Sequence, residues 1–323
     1  MKNTITILTI IFFAQLMQSQ KNNTSFDVLW QKVEQLEKDA LTKSALEVVQ
    51  TISKKASKEN NTSQKIKALL YSSKYSMTLE EDSQLKIVSN FKSEIEKASF
   101  PTKNILESYL ANLYWQYFQQ NRYQFYNRTN TESKVNSKDF RTWDLTTLFH
   151  EINLHFSNSL KNTKELQKSP ITDYYTIVYH QNDSEIYRPT LFDVLAHTAL
   201  DFYKTKETSI TRPADKFEIN NDNYLCDASI FINEIIDTKD KTSLEFRALE
   251  IYQQLLNFHA KDKTLDAFVA VDIDRLKFVH TNAVIQNKDF KYLHTLQNNA
   301  ESFKKDKVSA LYNYEIASLY HQL

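Results

Sequence analysis

Glycine is absent from all 323 positions of this chain, although an average usage of about 7% predicts roughly 23. Several sites need glycine because their backbone takes a positive φ or approaches a ligand closely. The sequence therefore excludes a P-loop, a dinucleotide-binding fingerprint, a nucleophile elbow and an EF-hand. Asparagine has to supply the left-handed residues at helix ends, and we expect this role at Asn60-Asn61, Asn220-Asn221 and Asn298-Asn299.

The charge balance argues against a polyanionic partner. Forty basic residues cancel forty acidic ones, and nucleic-acid binding needs a basic footprint. With 41% hydrophobic residues, the chain is long and apolar enough to fold into one or two globular domains. The only cysteine, Cys226, stands among Leu225, Ile230 and Phe231, which favours a buried, inert thiol over a reactive one.

The first twenty residues are typical of a cleaved signal peptide. Lys2 supplies the positive charge, and the apolar stretch Ile5–Leu16 is too short and too interrupted to span a bilayer. We expect cleavage at or just after Ser19, with Gln20 as the alternative, and no membrane span in the mature chain. The protein is therefore predicted to be exported, to the periplasm, the outer envelope or the medium. The alternative is a buried N-terminal helix, which the polar run that follows disfavours.

Apolar residues then recur at spacings of three and four almost everywhere, which predicts amphipathic helices. The first two cover residues 26–36 and 41–52, with Ser25 or Asp27 as the first N-cap. Further helices are predicted at about 62 to 79, 83 to 98, 102 to 121, 143 to 160, 190 to 205, 223 to 237, 242 to 260, 264 to 286, 288 to 304 and 307 to 322. Only Tyr174–His180 has the aromatic and β-branched density of a strand, and Pro170 and Pro189 bracket it. Residues 170–188 are therefore predicted to form an irregular or extended insert.

These patterns predict an all-α fold of TPR-like antiparallel helical pairs, similar to an α-solenoid. Two segments, Leu110–Gln116 and Ile316–Gln322, share an aliphatic residue followed by a small one and then Leu-Tyr. We expect an N-terminal helical domain over 21–141 and a second helical region over 142–323. The last helix is amphipathic and has no following partner, so the second region is expected to continue beyond the chain end.

Two groups of polar residues were considered as metal sites. His150 and His155 resemble the histidines of a zinc-protease helix, but a spacing of five places them about 140° apart. Asp272 and Asp274 are about 200° apart on a helix and belong to no calcium loop. We therefore interpret all four as structural and predict neither a metal nor a cofactor.

Asp193, His197 and Asp201 have helical spacings of four and lie on one face. They fit either an acid-oriented base or a structural polar network. No nucleophile can be assigned beside them, which favours the network, and the chain is predicted not to be an enzyme. Asp193 and His197 remain candidate contact residues.

The densest aromatic stretch lies between residues 109 and 126, with arginines interleaved. It suits either a contact platform for a sugar or peptide or the core of a central helix that is apolar nearly all round. The candidate contacts here are Trp115, Arg122, Tyr126 and Arg128.

Four segments carry a resemblance to a known family. They are Leu29–Gln50 (LWQKVEQLEKDALTKSALEVVQ), Tyr114–Thr129 (YWQYFQQNRYQFYNRT), Thr142–Leu145 (TWDL) and Arg188–Phe202 (RPTLFDVLAHTALDF). In this order they resemble the helical N-terminal region of large bacterial alpha-2-macroglobulin-like proteins.

The resemblance implies a secreted or periplasmic protease trap in which this region precedes a string of macroglobulin-like β-sandwich domains. Some members of that family capture the protease through a Cys-Glu thioester. Cys226 stands in LCDASI, which differs from the thioester motif, so no trapping residue is carried over. The expected function is a non-catalytic scaffold of an endopeptidase inhibitor, with the downstream domains, proteases or envelope proteins as partners. The alternative is a free-standing exported helical-repeat module that binds proteins.

Overall fold

The computed structural model describes residues 24–128, 136–207 and 215–322. The predicted signal peptide, residues 1–20, lies outside them. In these ranges the chain is all-helical and contains no β-strand, which confirms the predicted fold class. The α-helices are α1 (Phe26–Lys38), α2 (Thr42–Lys58), α3 (Thr62–Leu79), α4 (Ser83–Lys97), α5 (Thr102–Tyr126), α6 (Leu145–Ser159), α7 (Thr163–Leu166), α8 (Leu191–Tyr203), α9 (Ala228–Asn233), α10 (Leu244–His259), α11 (Asp266–Asn282), α12 (Lys288–Ser302) and α13 (Ser309–Gln322).

The described chain divides into two compact units, one up to Ile87 and one from Val88 onward. The division falls within α4, whereas the sequence placed a domain boundary between residues 141 and 142. Helices α5 and α6 lie on the two sides of that predicted boundary and pack against each other. The apolar surface of α5 explains this packing, because ten of its residues are buried.

In the first unit, α1 packs against α2 and α2 against α3. Ser25 caps α1 by accepting a hydrogen bond from the backbone N–H of Val28, as the sequence predicted. The core consists of apolar side chains from all three helices: Trp30, Val33, Ala45, Val49, Ile52, Ala68 and Tyr75. The helices of this unit are thus held together by their apolar faces.

Two left-handed residues end helices in the first unit. Asn60 ends α2 with φ of 52°, and the N–H of Asn61 reaches back to the carbonyl of Ala56, as expected for a glycine-free C-terminus. Ala40 ends α1 in the same way with φ of 57°, although alanine is unfavourable there. The predictions for Asn220-Asn221 and Asn298-Asn299 are wrong: Asn221 has φ of −96°, and the second pair lies inside α12.

In the second unit, α5 packs against α6 and α8, and α10 packs against α8 and α11. Toward the end of the chain, α12 packs against α11 and α13. The consecutive packing agrees with a helical-repeat arrangement, while TPR-like pairing stays a prediction. Helix α5 leaves helical geometry at Asn121 (φ −116°, ψ 17°), whose side-chain amide donates to the carbonyl of Tyr117 at 2.9 Å.

The predicted insert is irregular, with two short 3-10 turns at Ile171–Tyr174 and Ser184–Ile186. A single bridge joins Pro170 to Thr190, and the rings of Tyr175 and His180 stack at 3.8 Å. No helix in the described residues has the length and apolarity needed to cross a bilayer.

One predicted helix is much shorter than expected. In place of residues 223–237 the structure has a 3-10 turn at Asp222–Leu225 and the short α9. The side-chain amide of Gln253 donates to the carbonyls of Phe231 and Glu234 at 2.9 and 2.8 Å. This contact with α10 satisfies carbonyl groups at the end of α9, so the helix stops there.

Candidate functional site

Trp115, the first candidate contact, is half-buried and belongs to the aromatic core. Its ring stacks on Phe118 at 5.3 Å and meets Phe202 edge-on at 5.2 Å. Phe149 of α6 completes the cluster with a centroid 6.0 Å from Trp115. These distances are those of packed aromatic pairs, so Trp115 joins α5 to α6 and α8 and leaves little of its ring for a ligand.

Arg122 and Tyr126 form an exposed polar corner at the end of α5. The side chain of Arg122 forms an ion pair with Glu207 and donates from Nε to the hydroxyl of Tyr126 at 3.2 Å. Tyr126 in turn donates to the second carboxylate oxygen of Glu207. The carboxylate of Glu207 is buried while Arg122 is 56% exposed. The structure thus brings two predicted residues together with Glu207, which no sequence pattern indicated, since it lies 81 positions after Tyr126.

Arg128 has a structural position of its own. Its Nη1 donates to the carbonyl of Trp143 at 2.7 Å, and its guanidinium lies 4.4 Å from the ring centre of Phe125. A guanidinium that is bonded to backbone and stacked on an aromatic ring is well fixed. Arg128 therefore joins the end of α5 to the start of α6.

Asp193 is fully buried and uses both carboxylate oxygens within the protein. One oxygen accepts from the N–H and hydroxyl of Thr190 at 2.9 and 2.7 Å, which completes a capping box at the start of α8. The other oxygen lies 2.7 Å from Nε2 of His259, and Nδ1 of that ring lies 2.7 Å from Asp262. The sequence did not identify His259, because the residue is 66 positions from Asp193.

The two carboxylates determine the charge of His259. Burial lowers the pKa of His259, but its hydrogen bonds to Asp193 and Asp262 and their negative charges raise the pKa by more, so it lies above its ordinary value. A ring that donates from both nitrogens is the imidazolium form. His259 thus acts as a positively charged link between the start of α8 and the end of α10.

His197 has the opposite environment. Its Nδ1 donates to the backbone carbonyl of Asp193 at 2.8 Å, while the carboxylate of Asp193 is occupied by His259. Burial, together with the nearby positive charge of Arg188, lowers the pKa of His197 to about 4. Asp201, the third residue on this face, is exposed. The three residues share a helix face, yet the carboxylate of Asp193 does not orient His197 as a base.

The two histidines of α6 lie in different environments, as their spacing predicted. His150 is exposed, whereas His155 is buried and its Nδ1 bonds to Glu107 of α5. On the other side, Nε2 of His155 lies 3.7 Å from Glu151, which forms an ion pair with Lys92 at 3.1 Å. Burial lowers the pKa of His155, but the contacts with the two carboxylates raise it by more, so it lies above its ordinary value.

Asp272 and Asp274 also have separate partners. Asp272 is fully buried with Arg275, and it accepts hydrogen bonds from Tyr312 at 2.8 Å and Asn299 at 3.1 Å. Asp274 accepts from Tyr252 at 2.7 Å and pairs with Lys204, the residue after α8, at 3.0 Å. No group of three or more potential ligands that could hold a metal ion occurs in residues 24–128, 136–207 and 215–322.

Cys226 is half-buried and makes no disulfide. Its sulfur makes two long contacts, with the carbonyl of Asp222 at 3.7 Å and with Oδ1 of Asn223 at 3.9 Å. Burial raises the pKa of the Cys226 thiol, which disfavours the reactive thiolate. These features agree with the interpretation of an inert thiol.

A search for relatives returned nothing: no protein-family model, no curated protein and no solved structure matches this chain.

Proposed function

We propose that this chain is a non-catalytic helical scaffold that forms the N-terminal part of an exported alpha-2-macroglobulin-like endopeptidase inhibitor. The observation that supports the scaffold role is that the buried ionisable residues bond to other helices of the protein. Asp193, His259, His155 and Asp272 are buried, and each bonds to another helix of the second unit. Groups that are satisfied inside the fold stabilise a rigid arrangement of helices.

The place of this scaffold within an inhibitor follows from the four segments that resemble the family. Export is supported by the positive charge of Lys2 and the short apolar stretch Ile5–Leu16. The partners would be macroglobulin-like domains of a longer chain, together with the attacking proteases or envelope proteins. The scaffold would position those domains and take no part in the covalent capture of a protease.

A second candidate function is a free-standing exported module that binds proteins. It is favoured by aromatic side chains that are largely exposed, because aromatic residues are enriched in the surfaces by which proteins contact each other. The most exposed are Tyr179 at 88%, Tyr123 at 81%, Tyr314 at 70% and Phe290 at 69%. These residues lie in the insert, on α5 and on the last two helices.

The mass of the native protein distinguishes the two functions. An antibody raised against residues 21–323 would be used to immunoblot envelope and culture fractions of cells that carry the gene. A band several times heavier than 38.0 kDa is expected for the inhibitor. A band slightly below that mass would contradict it and favour the free-standing module.

An inhibition assay tests the non-catalytic role directly. The purified chain is expected to leave the digestion of a large protein substrate by endopeptidases unchanged, whereas the native long polypeptide protects the substrate. Protection by the isolated chain would contradict the scaffold role. Circular dichroism of the isolated chain provides the control that it is helical under the assay conditions.

A further inference from the structure

A cavity of about 220 Å³ lies in the second unit between the first half of α6 and the residues that lead into α10. Its walls are mainly apolar and come from Leu145 and Phe149 of α6 and from Leu244 of α10. Polar side chains complete the lining, which is the usual composition of a small-molecule site. Trp115 and the other predicted contact residues do not line it.

Three carboxylates reach this cavity, and they differ in their partners. Glu207 is neutralised by Arg122 at the corner of α5. Asp240 is buried and accepts hydrogen bonds from neutral groups, the backbone N–H of Phe217 at 3.3 Å and the hydroxyl of Thr242 at 3.0 Å. No ion pair to Asp240 occurs in the described residues.

Glu245 is the third carboxylate of the lining. It is half-buried, and within the described residues it forms no hydrogen bond or ion pair through its side chain. Burial raises the pKa of Glu245, Lys216 opposes the rise, and the charges of Glu218 and Asp240 add to it. A positive group beside this carboxylate would relieve both the desolvation and the repulsion.

The charges of the lining favour a cation over an anion. Glu207, Asp240 and Glu245 carry negative charge, and Lys216 is the one lysine or arginine among the described lining residues. His150 also lines the cavity, as an exposed side chain. With Glu207 paired to Arg122, the remaining lining still has more negative than positive charge.

The volume sets the size of the ligand. A dry cavity of about 150 Å³ accommodates benzene, so 220 Å³ accommodates one aromatic ring with a short side chain. We propose that this cavity binds a small aryl-alkyl amine, with its ring against Phe149 and its ammonium group beside Glu245. This activity goes beyond the scaffold role and does not depend on it.

The proposal is tested by calorimetric titration of the full mature chain with three probes of nearly equal shape: phenethylamine, 2-phenylethanol and phenylacetate. Phenethylamine is expected to bind at least about tenfold more tightly than the alcohol, because a charge-assisted hydrogen bond is stronger than a neutral one. Phenylacetate is expected to bind most weakly.

Two variants place the binding in this cavity. Glu245→Gln is expected to weaken phenethylamine binding about tenfold and to leave 2-phenylethanol unchanged. Thr146→Trp fills the cavity from an exposed lining position and is expected to abolish binding of all three probes. Glu250→Gln is the matched control, because Glu250 lies on the same helix, pairs with Arg247 and does not line the cavity.

Three results would overturn the proposal. The first is the absence of saturable phenethylamine binding at millimolar concentration. The second is binding of phenylacetate as tight as that of phenethylamine. The third is phenethylamine binding that neither Glu245→Gln nor Thr146→Trp changes, while circular dichroism shows both variants to be folded.

Discussion

The two compact units differ in the kind of side chain that they bury. The described part of the first unit buries apolar side chains, and its buried polar residues are the serines Ser73 and Ser83. The second unit buries ionised groups in pairs, such as Asp193 with His259, which joins α8 to α10, and Asp272 with Arg275, both on α11. Apolar side chains can pack against any complementary apolar surface. A buried charge needs an oppositely charged or hydrogen-bonding group at one particular position. The stability of the second unit therefore depends on a few specific contacts.

Each unit has its own fluorescent reporter, which allows the comparison to be tested. Of the three tryptophans in the chain, Trp30 lies in the first unit, and Trp115 and Trp143 lie in the second. Variants that keep Trp30 alone, or Trp115 and Trp143 alone, report the urea unfolding of one unit at a time. Each substitution proposed below is made in the variant that reports the unit in which it lies.

The largest effect is expected from Asp272→Ala in the second unit. The substitution leaves Arg275 charged and buried without its carboxylate, which costs about 3 to 5 kcal/mol of unfolding free energy. Urea unfolding followed by Trp115 and Trp143 measures the loss.

Two controls accompany Asp272→Ala. The double variant with Arg275→Met is expected to recover most of the stability, because it removes the unpaired charge. Glu37→Ala breaks the exposed pair with Lys74 in the first unit and is expected to cost less than about 1 kcal/mol. A loss for Asp272→Ala as small as that for Glu37→Ala would contradict the difference between the units.

In the first unit the largest effect is expected from Ile52→Ala. Ile52 is fully buried in the apolar core, so truncation leaves a cavity and costs about 3 kcal/mol, whereas Ile52→Val costs about 1. Urea unfolding followed by Trp30 measures both. Val28→Ala is the control, because Val28 is 54% exposed and its change is expected to stay within about 0.5 kcal/mol. Equal losses for Ile52→Ala and Val28→Ala would show that the apolar core does not hold this unit.

A smaller effect is the pH dependence of the second unit. The folded pKa of His259 lies above its ordinary value, so the unit gains stability from the charged ring. This gain is fully present below about pH 6.5 and is lost as the pH rises through the folded pKa. Asp262→Asn is expected to lower the folded pKa of His259 and to move the loss to lower pH.

NMR titration of His259 and unfolding at a series of pH values measure this prediction. His197 provides the internal contrast, since its folded pKa is lowered to about 4. The stability that the neutral ring of His197 contributes is fully present above about pH 6.5. It is lost as the pH falls from there through the folded pKa of about 4. If both histidines titrated near pH 6.5, the assignment of one charged and one neutral ring would be wrong.

The smallest expected effect is a gain in the first unit. Ala40 has φ of 57°, a region that disfavours a Cβ atom by about 1 to 2 kcal/mol. Ala40→Gly removes this strain but adds freedom to the unfolded chain, so a net gain of about 0.5 kcal/mol is expected in urea unfolding. Asn60→Gly is the control, since asparagine tolerates this region better and should gain less. Destabilisation by Ala40→Gly would rule out strain at this turn.

The local features of the fold were predictable from the sequence. Helix α3 has the predicted bounds, residues 62–79, and Ser25 caps α1, as one of the two predicted N-caps. The insert at 170–188 is irregular, as its prolines and aromatic residues suggested. Such features depend on interactions within a few residues, because a helix is built from hydrogen bonds four residues apart.

The candidate site was predictable only in part. The sequence placed Asp193 and His197 on one helix face, and the structure agrees, but the side chain that pairs with the carboxylate of Asp193 is His259, 66 residues away. Likewise, Arg122 and Tyr126 contact each other, and both also bind the carboxylate of Glu207. Nothing in the spacing of these residues indicates which distant carboxylate or ring will pair with them.

The sequence by itself determined that this protein is helical, where most helices begin and end, and which glycine-dependent sites it cannot contain. Periodicity, capping residues and composition determine the position of a helix through neighbouring residues, and they do not depend on contacts between helices. The burial of charges, the lack of an ion pair at Glu245 within the described residues and the position of the cavity all depend on the tertiary structure. Burial and pairing depend on the packing of helices that are distant in sequence, and that packing sets the electrostatic environment of each group.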